Sequence, residues 1–164
     1  MKKLSLLFCA FALIGFVMVG CNDDDDPTVN QAPSISDWTI NTVSGLTSGN
    51  HSPGDTVMVM FLASDNEGLK NLMITEDVSG SSGTTTLKDV ALSGGSSSIM
   101  YNYVVDSSAT DGANITLTFT ITDDGELAEK GLADETTSKT YVITVEVVAT
   151  TTDLSAEQDF EFKR

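Results

Sequence analysis

Two short clusters of oxygen-bearing side chains are the groups in this 164-residue chain best suited to chemistry. The first cluster is Asp65, Asn66 and Glu67, and the second is Asp123, Asp124 and Glu126. Ca²⁺ takes about six to eight oxygen ligands in proteins, from carboxylates, amides and carbonyls. The clusters follow the second and sixth predicted strands, which end on the same side of a two-sheet sandwich. We therefore predict a calcium site there; ordinary turn residues, chosen because Asp and Asn tolerate turn dihedrals, are the alternative.

The only histidine, His51, lies in a Gly- and Ser-rich segment. A catalytic histidine needs a nucleophile and an orienting acid held beside it in a pocket, and no motif around His51 supplies them. Carboxylate pairs of the glycosidase type cannot be singled out, because 24 acidic residues are spread along the chain. The sequence therefore predicts no enzyme, no catalytic residue and no cofactor other than the calcium ion considered above.

The single tryptophan, Trp38, is the candidate ligand-binding residue, because aromatic faces stack on sugar rings. The alternative for Trp38 is packing in the core, which is the commoner role of aromatic residues at strand spacing. Tyr101 and Tyr103 share one strand face with Ile99, which favours burial for both. A glycan site at Trp38 and a core position for Trp38 therefore make opposite predictions about its exposure.

The chain opens with features of a secretory leader. Met1, Lys2 and Lys3 form a positive start, and residues 4–19 then carry no charge. This apolar run is shorter than the ~20 residues that a transmembrane helix needs, so residues 1–20 are predicted to be a signal peptide.

The end of this run, Met18-Val19-Gly20-Cys21, resembles the lipobox of bacterial lipoproteins. The resemblance implies cleavage before Cys21 and attachment of lipid, such as palmitate, to that cysteine. The acidic run at residues 22–26 resembles the run that directs Bacteroidota-type lipoproteins to the outer face of the outer membrane. A solvated linker is the alternative, and in both interpretations residues 21–32 are predicted to form a flexible tether.

Composition limits the partners and the bonds available to the fold. The formal net charge is -16, which repels phosphate backbones and predicts no nucleic-acid partner. One of the two cysteines, Cys9, lies in the predicted leader, and the other is the lipidation site. No disulfide is therefore predicted, and the fold must depend on burial of apolar side chains and on strand pairing.

The remaining elements are predicted to be seven strands, and no segment has a helical period. Alternating β-branched and aromatic residues, bounded by turn residues, mark residues 35–43, 55–64, 69–77, 84–92, 97–105, 114–122 and 139–148. Residues 45–54 and 123–138 are predicted to be connections. The fold class is therefore all-β, a seven-stranded Ig-like antiparallel β-sandwich over residues 33–149.

The tail, residues 150–164, carries an alternating Phe160 and Phe162. The segment also resembles the lead-in to a second domain in longer surface lipoproteins of this type. The tail therefore either docks on this sandwich, or reaches towards a partner, or marks the chain as a shortened relative, and the sequence does not choose among these.

Several segments resemble bacterial Ig-like and cadherin-like repeats. They are Ala32-Pro33-Ser34-Ile35, Pro53-Gly54-Asp55-Thr56-Val57, residues 63–69 (Ala-Ser-Asp-Asn-Glu-Gly-Leu) and Tyr141-Val142-Ile143-Thr144-Val145. The resemblance covers residues 32–149 and implies the sandwich fold without a specific function. The cysteine pair of immunoglobulin domains and the Asp-Xaa-Asn-Asp-Asn linker of cadherins are missing from the sequence.

Together these features predict a non-enzymatic, cell-surface lipoprotein of the outer membrane that acts as an interaction or adhesion module. An accessory glycan-binding lipoprotein of a polysaccharide-uptake system is the alternative. The predicted partners are the membrane, through the lipid anchor, and an envelope protein or a glycan.

Overall fold

The computed structural model describes residues 31–125 and 133–148. This part of the chain forms strands and contains no helix, so the predicted all-β class is confirmed. It accordingly holds no helix long and apolar enough to cross a bilayer. The predicted signal peptide, Cys21, Glu126 and the tail at 150–164 lie outside these residues.

Residues 31–125 and 133–148 form nine strands, two more than predicted. They are β1 (Ser34–Ile40), β2 (Val43–Ser44), β3 (Ser48–His51), β4 (Thr56–Ser64), β5 (Leu69–Val78), β6 (Thr85–Ala91), β7 (Ser96–Val104), β8 (Asn114–Asp123) and β9 (Thr136–Val145). The predicted strand at 35–43 is divided, because Asn41 and Thr42 take positive φ angles of 47° and 72° and turn the chain from β1 into β2.

The strands form two sheets that pack as a sandwich. One sheet has the order β2-β1-β4-β7 and the other β3-β9-β8-β5-β6. All pairs are antiparallel except β3 and β9, which are parallel, so the fully antiparallel prediction is wrong at this one pair. The chain enters the first sheet with β1 and crosses to the far edge of the second with β3.

The segment at 45–54, predicted to be a connection, therefore contains a strand. Its sequence Ser48-Gly49-Asn50-His51 has low strand propensity, so its backbone pairing with residues 142–145 of β9 holds it in place. At the other end, β9 was predicted to extend to residue 148, but the strand ends at Val145 and Val147 is 51% exposed.

The core is built from the inward face of every long strand. Residues at alternate positions are buried in β4 (Val57, Val59, Phe61, Ala63), β8 (Ile115, Leu117, Phe119, Ile121) and β9 (Tyr141, Ile143, Val145). Phe119 is the centre of an aromatic cluster, with ring centroids 5.4 Å from Trp38, 5.7 Å from Phe61 and 6.0 Å from Tyr101. Burying each large apolar side chain contributes about 1.5–3 kcal/mol, so this continuous core holds the fold without a disulfide.

The two ends of the sandwich differ. β1 and β9 begin, and β4 and β8 end, at what we call the acidic end, formed by residues 65–68, 123–125 and 133–135. β9 finishes at the opposite end, the far end, formed by residues 52–55, 79–84, 106–113 and 146–148. The strand that follows the tether therefore starts at the acidic end.

Candidate functional site

The acidic end is organised by a tight turn after β4. Asp65 Oδ1 accepts hydrogen bonds from the backbone N–H groups of Glu67 (2.8 Å) and Gly68 (3.0 Å). Gly68 has a φ of 133°, which side-chain-bearing residues rarely adopt. Its carbonyl accepts a hydrogen bond of 2.8 Å from the N–H of Asp124. The loops after β4 and β8 are therefore in direct contact, as predicted.

Asp123 has a structural role at the acidic end, where it holds the backbone of a loop. It is the only buried charged residue in the described part of the chain. Its Oδ1 accepts a 2.8 Å hydrogen bond from the N–H of Glu135, and its own N–H donates to the Glu135 carbonyl at 3.1 Å. These two bonds close the long loop between β8 and β9, so the carboxylate acts first as a cap for the backbone.

One carboxylate oxygen of this end is buried without a hydrogen bond. Asp65 Oδ2 has no partner among the described residues, while Oδ1 of the same group accepts two. A buried acceptor without a partner is unfavourable, which makes Asp65 the position most suited to receive a donor or a cation.

Lys70 balances part of the charge of the acidic end. Lys70 forms an ion pair with Asp134. The hydrogen bond to Asp134 raises the pKa of Lys70 above its usual value, with smaller contributions from the charges of Asp134, Asp124 and Asp123. Lys70 is exposed, so this pair contributes little to stability.

A surface cleft of about 290 Å³ lies next to the turn. Gly68, Lys70, Leu92, Gly94 and Asp124 contribute to its walls. The cleft is shallow and open to solvent, and it carries charges of both signs, so its chemistry suits a small polar or ionic group.

The predicted calcium ligands are brought close, but they do not form a cage within the described residues. There, no group of three or more acidic, histidine or cysteine side chains has the arrangement of a metal site. The Asn66 amide donates to Glu67 at 2.9 Å, so these two side chains bind each other. Glu126 lies outside the described residues, and the calcium site stays a prediction.

Trp38 lies in the core, which is the alternative considered for it. It is 4% exposed, and its indole N–H donates to the carbonyl of Leu46 at 2.8 Å. Lys139 Nζ lies 5.3 Å from the ring centroid. Phe61 packs at a tilt against the indole, Phe119 meets it at a steep angle and Lys139 lies over the ring, so the buried indole presents no open face to a sugar ring.

His51 pairs with a buried tyrosine. Its Nε2 lies 2.9 Å from the hydroxyl of Tyr141, and one of the two groups donates to the other. The half-buried His51 thus fixes β3 on β9, a structural role that the sequence did not indicate.

The sequence also did not indicate a polar contact between the sheets. The hydroxyl of Tyr103 on β7 donates to the carboxylate of Glu76 on β5. Burial, together with this hydrogen bond, raises the pKa of Tyr103 far above its usual value of 10.0. The only signal in the sequence is Glu76 at an inward position of β5, where an apolar residue is expected.

Comparisons with known proteins give no family for this chain. No family model matches it, and no curated protein matches it. Among solved structures, it is similar to Spo0M, a sporulation control protein from Bacillus subtilis, with a TM-score of 0.45 and 9% identity. The match covers 72% of this chain and 51% of Spo0M, so the chain spans about half the length of that protein. At this level the similarity says nothing about function.

Proposed function

We propose that the chain is a non-enzymatic, lipid-anchored protein of the outer cell surface, and that its sandwich acts as an interaction or adhesion module. The observation that carries this proposal is the direction of β1, which begins at the acidic end directly after the tether. A lipid on Cys21 would therefore hold the acidic end towards the membrane and present the far end to the surroundings.

The tether sets the distance from the membrane. Residues 21–32 would span about 20 Å as a flexible coil and at most about 40 Å when extended. Lipidation with more than one acyl chain gives stable anchoring, since each buried CH₂ contributes ~0.8 kcal/mol. The domain would thus stand close to the bilayer with limited freedom, which suits contact with neighbouring envelope proteins or with another cell.

The far end, like the acidic end, carries acidic side chains, and hydrogen bonds to the backbone hold several of them in place. Asp106 Oδ1 accepts hydrogen bonds from the N–H and the hydroxyl of Ser108, both at 2.8 Å, which lowers the pKa of the Asp106 carboxyl. Asp111 Oδ1 accepts from the N–H of Val147 at 2.9 Å, and Asp55 Oδ2 accepts from Ser52 at 2.8 Å. A partner surface with basic side chains has the complementary charge.

The anchoring test compares the wild-type chain with Cys21→Ser in the native host. We expect wild type in the outer-membrane fraction, cleaved and acylated by mass spectrometry, and digested when protease is added to intact cells. We expect Cys21→Ser to keep its leader and to lack the acyl groups. An unmodified sulfur on the wild-type protein would contradict the proposed anchor.

The adhesion test uses cells that display the anchored protein. We expect deletion of the gene to reduce cell-to-cell aggregation or attachment, with rescue by wild type. Asp106→Asn with Asp111→Asn should rescue less well than the control Asp77→Asn, which changes an exposed acid outside the far-end loops. Equal rescue by both variants would show that the far end is not the contact surface.

The glycan-binding alternative lacks a favourable observation. Trp38, Tyr103 and Tyr141 are buried, and Tyr101 packs its ring against Phe119. A change in Trp38 fluorescence on addition of polysaccharides would restore that alternative.

A further inference from the structure

Strand β7 is a long sheet edge without the usual protection. It pairs with β4 through nine consecutive residue pairs and no register shift. On its other side it has no neighbour among the described strands. Its sequence, Ser-Ser-Ser-Ile-Met-Tyr-Asn-Tyr-Val, contains no charge and no proline. Such an edge presents a free row of backbone donors and acceptors that can pair with another strand.

The other three sheet edges are protected against pairing with a further strand. β2 has two residues and β3 has four, which gives little backbone for pairing. β6 carries Lys88 and Asp89, and its register with β5 shifts between Ile74 and Thr75. Charges, bulges and shortness are the common means of protecting edges, and β7 has none of them.

The second sheet extends one strand beyond β7. Tyr103 of β7 contacts Glu76 of β5, and Tyr101 packs on Phe119 of β8, so β7 lies over β5 and β8. β6 lies outside β5 in its own sheet. Every residue of β6 is exposed except Leu87, which is half-buried. No described strand of the first sheet therefore covers β6.

The result is a slot one strand wide beside β7. We define the β7 slot as the free backbone edge of β7 together with Leu87, Val90, Ile99 and Tyr101. Val90 and Lys88 pair with the buried Leu72 and Ile74, so both face the slot, and Val90 is 38% exposed. Ile99 and Tyr101 are half-buried at this side of the core. An added strand would bury apolar surface and form a backbone ladder at the same time.

The shape of the slot excludes a second copy of the whole sandwich. Suppose that β7 of a second molecule paired with this edge. The β5 strand of that second molecule, which lies under its β7, would then have to occupy the position that β6 of the first molecule already fills. Two chains of net charge -16 also repel each other. A single extended segment fits the slot, whereas a second domain does not.

We propose that the C-terminal segment of the same chain, centred on Phe160 and Phe162, adds to β7 as an antiparallel strand and places both rings in the slot. Residues 149–164 lie outside the described part of the chain, and β9 leads to them at the far end, where β7 also ends. From there, three strand spacings of about 4.8 Å within the sheet and one perpendicular sheet spacing of about 10 Å separate β9 from the slot, which is a straight-line distance of about 17 Å. Residues 149–159 can span at least twice that distance when extended.

The charges of the segment are compatible with this direction but do not select it, because both ends of the sandwich are acidic. A strand that enters at the far end and runs antiparallel to β7 carries its last residues, Lys163 and Arg164, towards the acidic end. Glu161 and Lys163 then point outward, while the two phenylalanines point inward, because side chains alternate along a strand.

Hydrogen exchange on the full-length lipidated chain in detergent tests the proposal. We expect the amides of β7 to exchange at least about tenfold faster in Phe160→Ser with Phe162→Ser than in wild type, with β8 unchanged as the reference. The control, Glu161→Ser with Lys163→Ser, changes the outward residues and should leave β7 protected. Equal exchange in wild type and the phenylalanine variant would overturn the proposal, as would equal loss in the control.

Cysteine crosslinking gives an independent measurement. We expect Glu161→Cys to form an intramolecular disulfide with at least one of Ser98→Cys, Met100→Cys or Asn102→Cys, which share the outward face of β7. No crosslink at any of the three positions would overturn the proposal. Crosslinks only between molecules, or β7 protection that rises with protein concentration, would assign the slot to a second chain and overturn it equally.

Discussion

The contact between Gly49 and Tyr141 shows how one missing side chain positions a strand. A Cβ atom at Gly49 would lie 2.4 Å from the Tyr141 hydroxyl, closer than real Cβ contacts come. Tyr141 is 1% exposed, so its ring has little freedom to move away. Close approach of β3 to β9 therefore requires glycine at this position.

We predict that Gly49→Ala lowers the free energy of unfolding by about 1–3 kcal/mol, the usual range for overpacking. The same change in a Tyr141→Phe background should cost less, because the phenylalanine lacks the oxygen that the new methyl group meets. Urea unfolding of the four proteins of this double-mutant cycle measures the coupling. Identical costs in both backgrounds would show that another contact is responsible.

The Tyr103–Glu76 contact predicts a specific loss of stability at high pH. The pKa of Tyr103 is raised in the folded state, so above pH 10, the ordinary value, the unfolded chain releases a proton that the folded protein keeps. The free energy of unfolding is therefore unaffected by this group below pH 10 and falls as the pH rises beyond it.

Burial also raises the pKa values of Tyr101 and Tyr141, so these two tyrosines add to the loss of stability at high pH. Urea unfolding between pH 9 and pH 11.5 measures the slope. In Tyr103→Phe the free energy of unfolding should fall less steeply with pH, and the difference should be up to the contribution of about one proton. An unchanged slope in this variant would mean that Tyr103 ionises equally well in both states.

Among the elements, the loop between β8 and β9 depends on Asp123. Removing the carboxylate leaves the Glu135 N–H without its acceptor next to the core. We predict that Asp123→Ala lowers the free energy of unfolding by about 1–3 kcal/mol, the range for a buried polar group that loses its partner. Asp124→Ala, at the exposed neighbouring position, is the matched control and should change it by less than about 0.5 kcal/mol.

Denaturant unfolding of the two alanine variants makes the comparison directly. Asp123→Asn keeps an oxygen acceptor and should lose less stability than Asp123→Ala. Equal effects of Asp123→Ala and Asp124→Ala would show that the buried carboxylate does not close the loop.

The alternation of apolar residues predicted every long strand, because period-two patterns report directly which residues face the core. β8 is the clearest case, with Ile115, Leu117, Phe119 and Ile121 buried in turn. β3 was missed because its pairing with β9 depends on backbone bonds and on one tyrosine 90 residues away in sequence. Long-range contacts of this kind leave no local pattern.

The sequence predicts which loops form the acidic end, but it does not predict which hydrogen bonds their side chains make. The contact of the two loops follows from strand order, whereas the commitment of Asp123 to a backbone amide depends on where residue 135 returns. The open edge at β7 was also not predictable, because it depends on how the two sheets are placed relative to each other. No single segment of the sequence determines that placement.

For the whole molecule, acidity is the dominant property. Cleavage before Cys21 would remove Lys2 and Lys3 and no acidic residue, so the net charge would change from -16 to -18. We predict that the melting temperature rises as NaCl is added up to about 0.5 M, because salt screens this repulsion.

The same melting experiment tests calcium. Asp65 Oδ2 is open to a cation, but Asp65 Oδ1 and Asp123 Oδ1 already accept backbone N–H groups. One open oxygen is far fewer than the roughly six to eight ligands that calcium takes. We therefore expect CaCl₂ to raise the melting temperature no more than MgCl₂ at equal ionic strength. A larger rise that chelator reverses, and that Asp65→Asn abolishes, would establish a calcium site at the acidic end.

The parallel pairing of β3 with β9 would have a mechanical consequence if the chain is anchored through Cys21, as proposed, and bound at the far end. Forces that draw residue 34 towards the membrane and residue 148 away from it would load β1 first and β3 next, so that β3 and β9 slide along each other. The hydrogen bonds of their four residue pairs are then loaded together in shear, instead of opening one after another. Single-molecule pulling should therefore give a higher rupture force for wild type than for His51→Pro, which removes a backbone donor that β3 directs at β9; His51→Ala is the control for loss of the side chain.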